Sequence, residues 1–399
     1  MGKSHKLRGY WREHARSIMW LVLAALGLAW LLLHKLGTLT TGLSPSELQA
    51  AAAPVGWHGA YHHPLDLPLQ VVRSIVFVAF PNHGALLSRL PNVFFGGLAV
   101  ICFGWLIWLW HGPRTMVLST LLFACSAWTL HVSRFASYDV MYLWATPVLL
   151  LTQLGLQQHS KRASVWYASL LATGLLLTIP GMVWLVVVGI YLQRVALAAG
   201  WKRFGAWWQR LVSLLAVVIW LPLIGVDLGR SGQLVRWLGL PAHYAAPATL
   251  AKQFAAVLVH LFVRGPQYPT LWLGRTPILD VLSLVACLLG LYFYIAHWRS
   301  RRSRLLGSVF IIGVILIGLG GPVGLSLLVP LMYMAAATGL AYLLHDWLHI
   351  FPQNPLARSL GIGLVAIAVG LSCMYNLRAY FVAWPHNSAT EASFHSDRP

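Results

Sequence analysis

The stretch LLSRLPNVFFGGLAVICFGWLIWLW (86–110) holds a single charge, Arg89. It is longer than the ~20 apolar residues that cross a bilayer as a helix. The rest of the chain offers no soluble core to bury it. Of the 399 residues, 58% are hydrophobic and 9% charged, with a mean hydropathy of +0.70. Polar surface is too scarce to cover a water-soluble globule, so the chain reads as an all-α polytopic membrane protein.

Outward from this run, apolar stretches recur at 18–33, 115–132, 138–156, 163–179, 181–193, 211–226, 277–297, 305–320, 323–343 and 359–377, about eleven transmembrane helices in all. The two that flank Ile179-Pro180-Gly181 are short and predict a tight, tilted hairpin. LPLQVVRSIVFVAF (67–80) is shorter than a crossing and contains Arg73. It predicts an interfacial helix lying on the membrane below the loop that precedes it.

A net charge of +19 invites nucleic acid as a partner. The basic residues, however, fall in short clusters between apolar runs and form no continuous face, so they point to membrane lipid and topology. The five basic residues of 1–17 and the RSRRSR cluster (299–304) mark the cytoplasmic side, whereas Glu47, Asp66, Asp139, Asp227, Asp280, Glu391 and Asp397 fall on the other. This places the N-terminus in the cytoplasm as a retained signal anchor of a cell membrane protein, with the C-terminus outside. Cys102, Cys125, Cys287 and Cys373 sit in apolar segments without a CxxC pair, which indicates neither a disulfide framework nor a zinc site.

The reading is one transmembrane unit over 1–377 and an extracytoplasmic tail, 378–399, expected to be loosely ordered. Two long extracytoplasmic loops, 35–85 and 227–276, share one face, and loops of that length usually carry function. The first contains TGLSPSELQAAAAPVGWHGAYHHPLDLPL (41–69), which gathers Glu47, His58, His62, His63 and Asp66 in a chain otherwise sparing of charge.

Glu47 follows Ser44-Pro45-Ser46 and falls in the first turn of a capped helix. There it either complements the helix dipole or, partly buried at the membrane surface, serves as a general base. Asp139 opens a later span, either as a helix-capping acid or as the companion catalytic acid. His62 and His63 point in different directions as neighbours, so as ligands of a divalent metal ion they need partners from elsewhere, with Glu47, His63 and Asp139 the candidate set. No other cofactor is indicated. Arg134, Arg264 and Arg275 are placed to bind phosphate, or to snorkel to lipid head groups. Most of the 20 tryptophans are explained by interfacial belts.

The order of short motifs is Ser46-Glu47-Leu48-Gln49-Ala50-Ala51, His63-Pro64-Leu65, Arg89-Leu90-Pro91, Ser133-Arg134 through Asp139, and Gly265-Pro266. In this order and placement the chain resembles the polyprenyl-phosphate-dependent GT-C glycosyltransferases. Within them it is similar to the bacterial relatives of the protein O-mannosyltransferases and of the lipid A aminoarabinose transferase. The resemblance implies a GT-C-like bundle with interfacial helices in the first extracytoplasmic loop. It also implies transfer of a sugar, usually with inversion, from a polyprenyl-phosphate donor to a cell-envelope acceptor on the extracytoplasmic face. It assigns Glu47 the base and Asp139 the acceptor side, with His62, His63, Arg134, Arg264 and Arg275 toward the donor phosphate.

The chain departs from the family pattern in three places. Ser46 stands where the catalytic aspartate is expected, so either Glu47 has become the base or catalysis is lost. His63 is followed by one proline where the family often has two, and no arginine or tyrosine precedes Pro330 in its segment. A transporter or flippase of a lipid-linked or anionic substrate is the alternative outside catalysis, and an inactive GT-C scaffold the alternative within the fold. Transporters place polar residues near the midplane and repeat their halves, whereas this chain gathers its acids at one face.

Overall fold

The computed structural model describes residues 19–51, 65–80, 84–159, 162–203, 211, 213–214 and 232–394. The helices in chain order begin with α1 (Met19–Leu33), α2 (Pro45–Ala51), α3 (Leu67–Ala79), α4 (Ala85–His111), α5 (Pro113–Cys125), α6 (Ala127–Arg134), α7 (Val140–His159) and α8 (Ala163–Leu177). They continue with α9 (Met182–Arg203), α10 (Gln233–Trp237), α11 (Pro247–Phe262), α12 (Val281–Ala296), α13 (Arg301–Gly318), α14 (Val329–Ile350), α15 (Pro355–Arg378) and α16 (Ser388–Phe394). A two-stranded antiparallel hairpin, β1 (Gln267–Tyr268) with β2 (Trp272–Leu273), is the sheet present among the described residues.

By length and composition five of these helices suffice to cross a membrane, or up to seven if the bent pairs α5–α6 and α12–α13 each count as one span. The remaining predicted spans that are described fall on the shorter apolar helices α1 and α8, and 211–226 lies almost wholly outside the described residues. Helix α9 runs to Arg203, past the predicted end at 193, because the polar pair Gln193-Arg194 interrupts hydrophobicity without interrupting helix propensity.

Helices α7 and α14 form the centre of the bundle, each with 83% of its apolar window buried. Helices α9 and α15 stand outside with 28% buried, and they turn residues such as Val195, Leu364 and Met374 outward, as a lipid-facing surface requires. The most extensive helix contact is α12 on α14. Ala286 and Gly290 on one helix meet Ala335 and Gly339 on the other. A Cβ on Gly290 would lie 1.8 Å from the Ala335 carbonyl, and one on Gly339 2.0 Å from that of Ala286. Small residues four apart on both helices let the backbones touch, the packing mode that helices use in lipid.

Two predicted loops are ordered. The second long loop contains the amphipathic helix α11, which packs on α13, and the hairpin. The tail is not loosely ordered as far as Phe394: α15 continues through a π turn (Ala379–Ala383) into α16, and Tyr380, Trp384 and Phe394 are buried. Aromatic burial anchors a segment whose composition reads as a frayed end. Trp384 Nε1 donates to the Pro269 carbonyl at 3.1 Å, which fastens the tail to the hairpin.

Candidate functional site

The first loop is held by a closed ion pair. Ser44-Pro45-Ser46-Glu47 forms a capping box: the Glu47 N–H donates to Ser44 Oγ at 3.3 Å, and the Ser44 N–H donates to Glu47 Oε2 at 3.0 Å. Arg89, reaching over from α4, donates from Nε to Oε1 at 2.8 Å and from Nη2 to Oε2 at 2.9 Å. The Ala136 N–H adds a bond to Oε1 at 3.1 Å, and Ser44 Oγ one to Oε2 at 3.3 Å. Glu47 is fully buried and its carboxylate, with about four lone-pair positions, is fully occupied. Arg89 also donates to the Leu36 and Gly42 carbonyls and to Thr40 Oγ1, each at 3.0 Å. The pair therefore joins the end of α1, helix α2, helix α4 and the loop that carries Asp139.

Arg134, at the end of α6, donates to the carbonyls of Leu31 and His34. A guanidinium at this place satisfies orphan carbonyls at the C-terminus of α1 and opposes its dipole. Its plane lies over Tyr380 and Phe381, 5.1 and 4.8 Å from their ring centroids, and its buried Nε has no partner. Arg89, Arg134, His131, Phe135, Tyr380 and Trp384 border a cleft with a cavity of about 10 Å³, the room one water needs. His131 is enclosed by the edges or faces of Trp272, Tyr380 and Trp384 at 5.5, 4.5 and 4.6 Å. The hairpin and the tail thus close this cleft together.

The second acidic cluster is open where the first is closed. Asp66 is buried in the turn before α3, with its backbone in the left-handed region at φ 57°, and its N–H donates to the Thr178 carbonyl at 2.8 Å. Its Oδ1 is buried and has no hydrogen-bond partner among the described residues. Asp139 lies in the loop between α6 and α7 against Gly324, where an added Cβ would stand 2.4 Å from Oδ1. Burial pushes the Asp66 carboxyl up to about 7, against the pull of Arg236 and Arg73 and with the push of Asp139. Burial likewise raises Asp139 to about 6. Arg73 is engaged elsewhere: Nη1 donates to the Ala50 carbonyl at 2.7 Å, and the guanidinium lies 5.3 Å over the Tyr138 ring. Tyr142, one turn into α7, donates to the carbonyls of Pro180 and Pro322 at 3.2 and 3.4 Å, tying the loops around the pair.

The structure therefore brings Glu47, Arg134 and Asp139 to one end of the bundle, in three different settings. His58, His62 and His63 lie outside the described residues. Arg264 and Arg275 are exposed on the hairpin, and Arg264 Nε donates within it to the Gly274 carbonyl at 2.9 Å. Among the described residues no group of three or more His, Cys, Asp or Glu side chains could hold a metal ion, and Glu47 has no lone pair left to offer one. Sequence reading gave no role to Arg73 or Arg236. The signal for Arg73 was available: it shares a helical face with Leu69 and Phe77 and so points inward.

No protein-family model matches the chain, and comparison with curated protein sequences gives no match. Two solved structures do match. The crystal structure of ArnT from Cupriavidus metallidurans in the apo state is 15% identical with a TM-score of 0.52, over 95% of this chain and 77% of that one. The same protein bound to undecaprenyl phosphate is 14% identical with a TM-score of 0.54, over 94% and 77%. The chain has the ArnT fold. That fold, a GT-C arrangement, is the one implied by the order of the short motifs along the sequence. The match extends over nearly the whole chain.

Proposed function

We propose that the chain is a membrane glycosyltransferase that moves a sugar from a polyprenyl-phosphate-linked donor to a cell-envelope acceptor on the extracytoplasmic face. The observation that carries this reading is the ArnT fold, known in ArnT itself with undecaprenyl phosphate bound, together with a buried Asp66 carboxylate oxygen that has no partner among the described residues at one end of the bundle. The charge asymmetry of the loops supports a cytoplasmic N-terminus, an extracytoplasmic site and an inner-membrane location. Eleven crossings follow if α1, α8 and 211–226 also span and α12 and α13 cross separately.

In this reading the acceptor hydroxyl oxygen attacks the anomeric carbon, the bond from that carbon to the phosphate oxygen breaks, and the hydroxyl proton passes to a carboxylate. The configuration inverts in one displacement. Asp139 is the base, because its carboxylate is unpaired and its raised pKa suits proton transfer near neutral pH. Glu47 is a positioning residue: through the Ala136 N–H it fixes the loop that carries Asp139. Arg134, with Arg264 and Arg275 from the hairpin and His62 and His63 from the first loop, form the phosphate side, where positive charge stabilises the departing group.

The test is transfer by membranes that contain the full chain, supplied with labelled polyprenyl-phosphate sugars, with D139N as control. Transfer that collapses in D139N establishes the reaction and its base. Ser46 in place of an aspartate, beside a saturated Glu47, favours one other reading, an inactive scaffold. Absence of transfer with every donor, together with retained undecaprenyl phosphate binding, selects it.

A further inference from the structure

The buried Asp66 carboxylate has no role in the proposed reaction so far. Asp66 is pinned on its backbone from both sides, its N–H bonded to the Thr178 carbonyl at 2.8 Å and its carbonyl accepting from the Gln70 N–H at 3.1 Å. Its side chain is 3% exposed, yet Oδ1 has no donor. A buried carboxylate oxygen without a donor is costly and is found where a ligand or a reaction needs it. The turn also holds a non-glycine residue in the left-handed region, a conformation that persists where the surroundings enforce it.

The neighbours narrow what the donor can be. Arg73 donates from Nη1 to the Ala50 carbonyl and lies over the Tyr138 ring, while its Nη2 is buried without a partner among the described residues, so it does not close onto Asp66 as Arg89 closes onto Glu47. Arg73 and Arg236 do no more than balance Asp66 and Asp139, so no positive charge is left over to bind a phosphate here. A metal ion lacks a third ligand among the described residues. Uncharged hydroxyl groups remain, and carboxylates are the side chains that accept from them most strongly. The place in the reaction then follows from the fold: Asp66 is bonded to Thr178 and Tyr142, three residues after Asp139, to Pro180, so both acids sit at the loop that ends α8. A base must touch the acceptor hydroxyl, which must approach the anomeric carbon, so a carboxylate held at the same loop as Asp139 borders the transferred sugar.

We propose that Asp66 is a sugar-binding residue that accepts hydrogen bonds from hydroxyls of the sugar on the lipid donor, while Asp139 faces the acceptor. The inference rests on the glycosyltransferase reading and adds to it the residue that distinguishes a sugar-bearing donor from the bare lipid phosphate.

The experiment uses the full chain in lipid nanodiscs and measures binding of undecaprenyl phosphate and of a panel of undecaprenyl-phosphate-linked hexoses and pentoses to wild type and D66N. Asparagine adopts the left-handed region readily, so D66N keeps the turn. Its affinity for undecaprenyl phosphate is the check on folding. The expected result is a wild type that prefers at least one sugar-bearing lipid by about tenfold, as one or two charge-assisted hydrogen bonds provide. In D66N that preference falls to within about twofold, with binding of undecaprenyl phosphate unchanged. A preference that survives in D66N overturns the assignment, as does equal loss of both ligands or a wild type indifferent to every sugar tested. A wild type that binds no lipid phosphate at all sinks the glycosyltransferase reading itself, a result distinct from each of these.

Discussion

Two buried carboxylate sites lie at the same end of this bundle, and they differ in the donors around them. Glu47 receives bonds from Arg89, Ser44 and Ala136 until nothing is left to accept. Asp66 and Asp139 share a polar corner with two arginines, yet Asp66 keeps a buried oxygen without a donor and Asp139 rests against the backbone of Gly324. Burial alone therefore does not mark a catalytic acid. What separates fastener from reagent is whether the protein has already supplied the counter-charge and the hydrogen bonds.

The contrast breaks most sharply at Glu47→Gln. Removing one charge leaves Arg89 buried and uncompensated, so stability should fall by about 3–5 kcal/mol, read as thermal unfolding in detergent. The double variant E47Q/R89Q should lose less than the sum of the two singles. A Glu47→Gln protein of native stability that merely fails to transfer sugar would instead make Glu47 the base.

Asp139→Asn should behave in the opposite way. No bonded partner is lost, so unfolding temperature should hold, while sugar transfer falls by about 10²–10⁴-fold, the usual worth of a general base. Loss of stability in step with activity would move Asp139 into the structural class.

The pH profile sharpens the same difference. The base acts as a carboxylate, and burial favours its neutral form, so activity should be lost as pH falls through about 6, with a second inflection near 7 if Asp66 titrates in the same range. These apparent values belong to the interacting pair. An unperturbed carboxylate would hold its plateau down to about pH 4.

A smaller effect is expected at Gly324→Ala. The added methyl would lie 2.4 Å from Asp139 Oδ1, so the loop must shift. Such overpacking costs about 1–3 kcal/mol, and the pH inflection should move with it. Smallest is Arg264→Gln on the exposed hairpin, within about 0.5 kcal/mol in stability. Any drop in affinity for undecaprenyl phosphate would assign that arginine to the donor phosphate.

Much of the fold was legible because lipid imposes a simple rule: long apolar runs with basic flanks become helices. The predicted runs 86–110 and 359–377 correspond to α4 and α15 within a few residues, whereas 323–343 overlaps α14, which runs on to Ile350. The breaks were less visible. The 60° bend at Ser126 follows no proline or glycine, and the ordered tail depends on where Trp384 and Phe394 find aromatic partners. At the site, Ser44-x-x-Glu47 already spelled a capping box, whereas its capture by Arg89, 42 residues on, did not show in local pattern.

By itself the sequence determined that this chain is helical and built for a membrane, and that its motifs run in the order of a GT-C transferase. Those properties follow from composition, periodicity and chain order, which are local or additive. Only the tertiary structure decided which acid is spent and which is free. Hydrogen-bond saturation depends on donors that arrive from distant helices, and no residue's own neighbours in sequence reveal whether its partner comes.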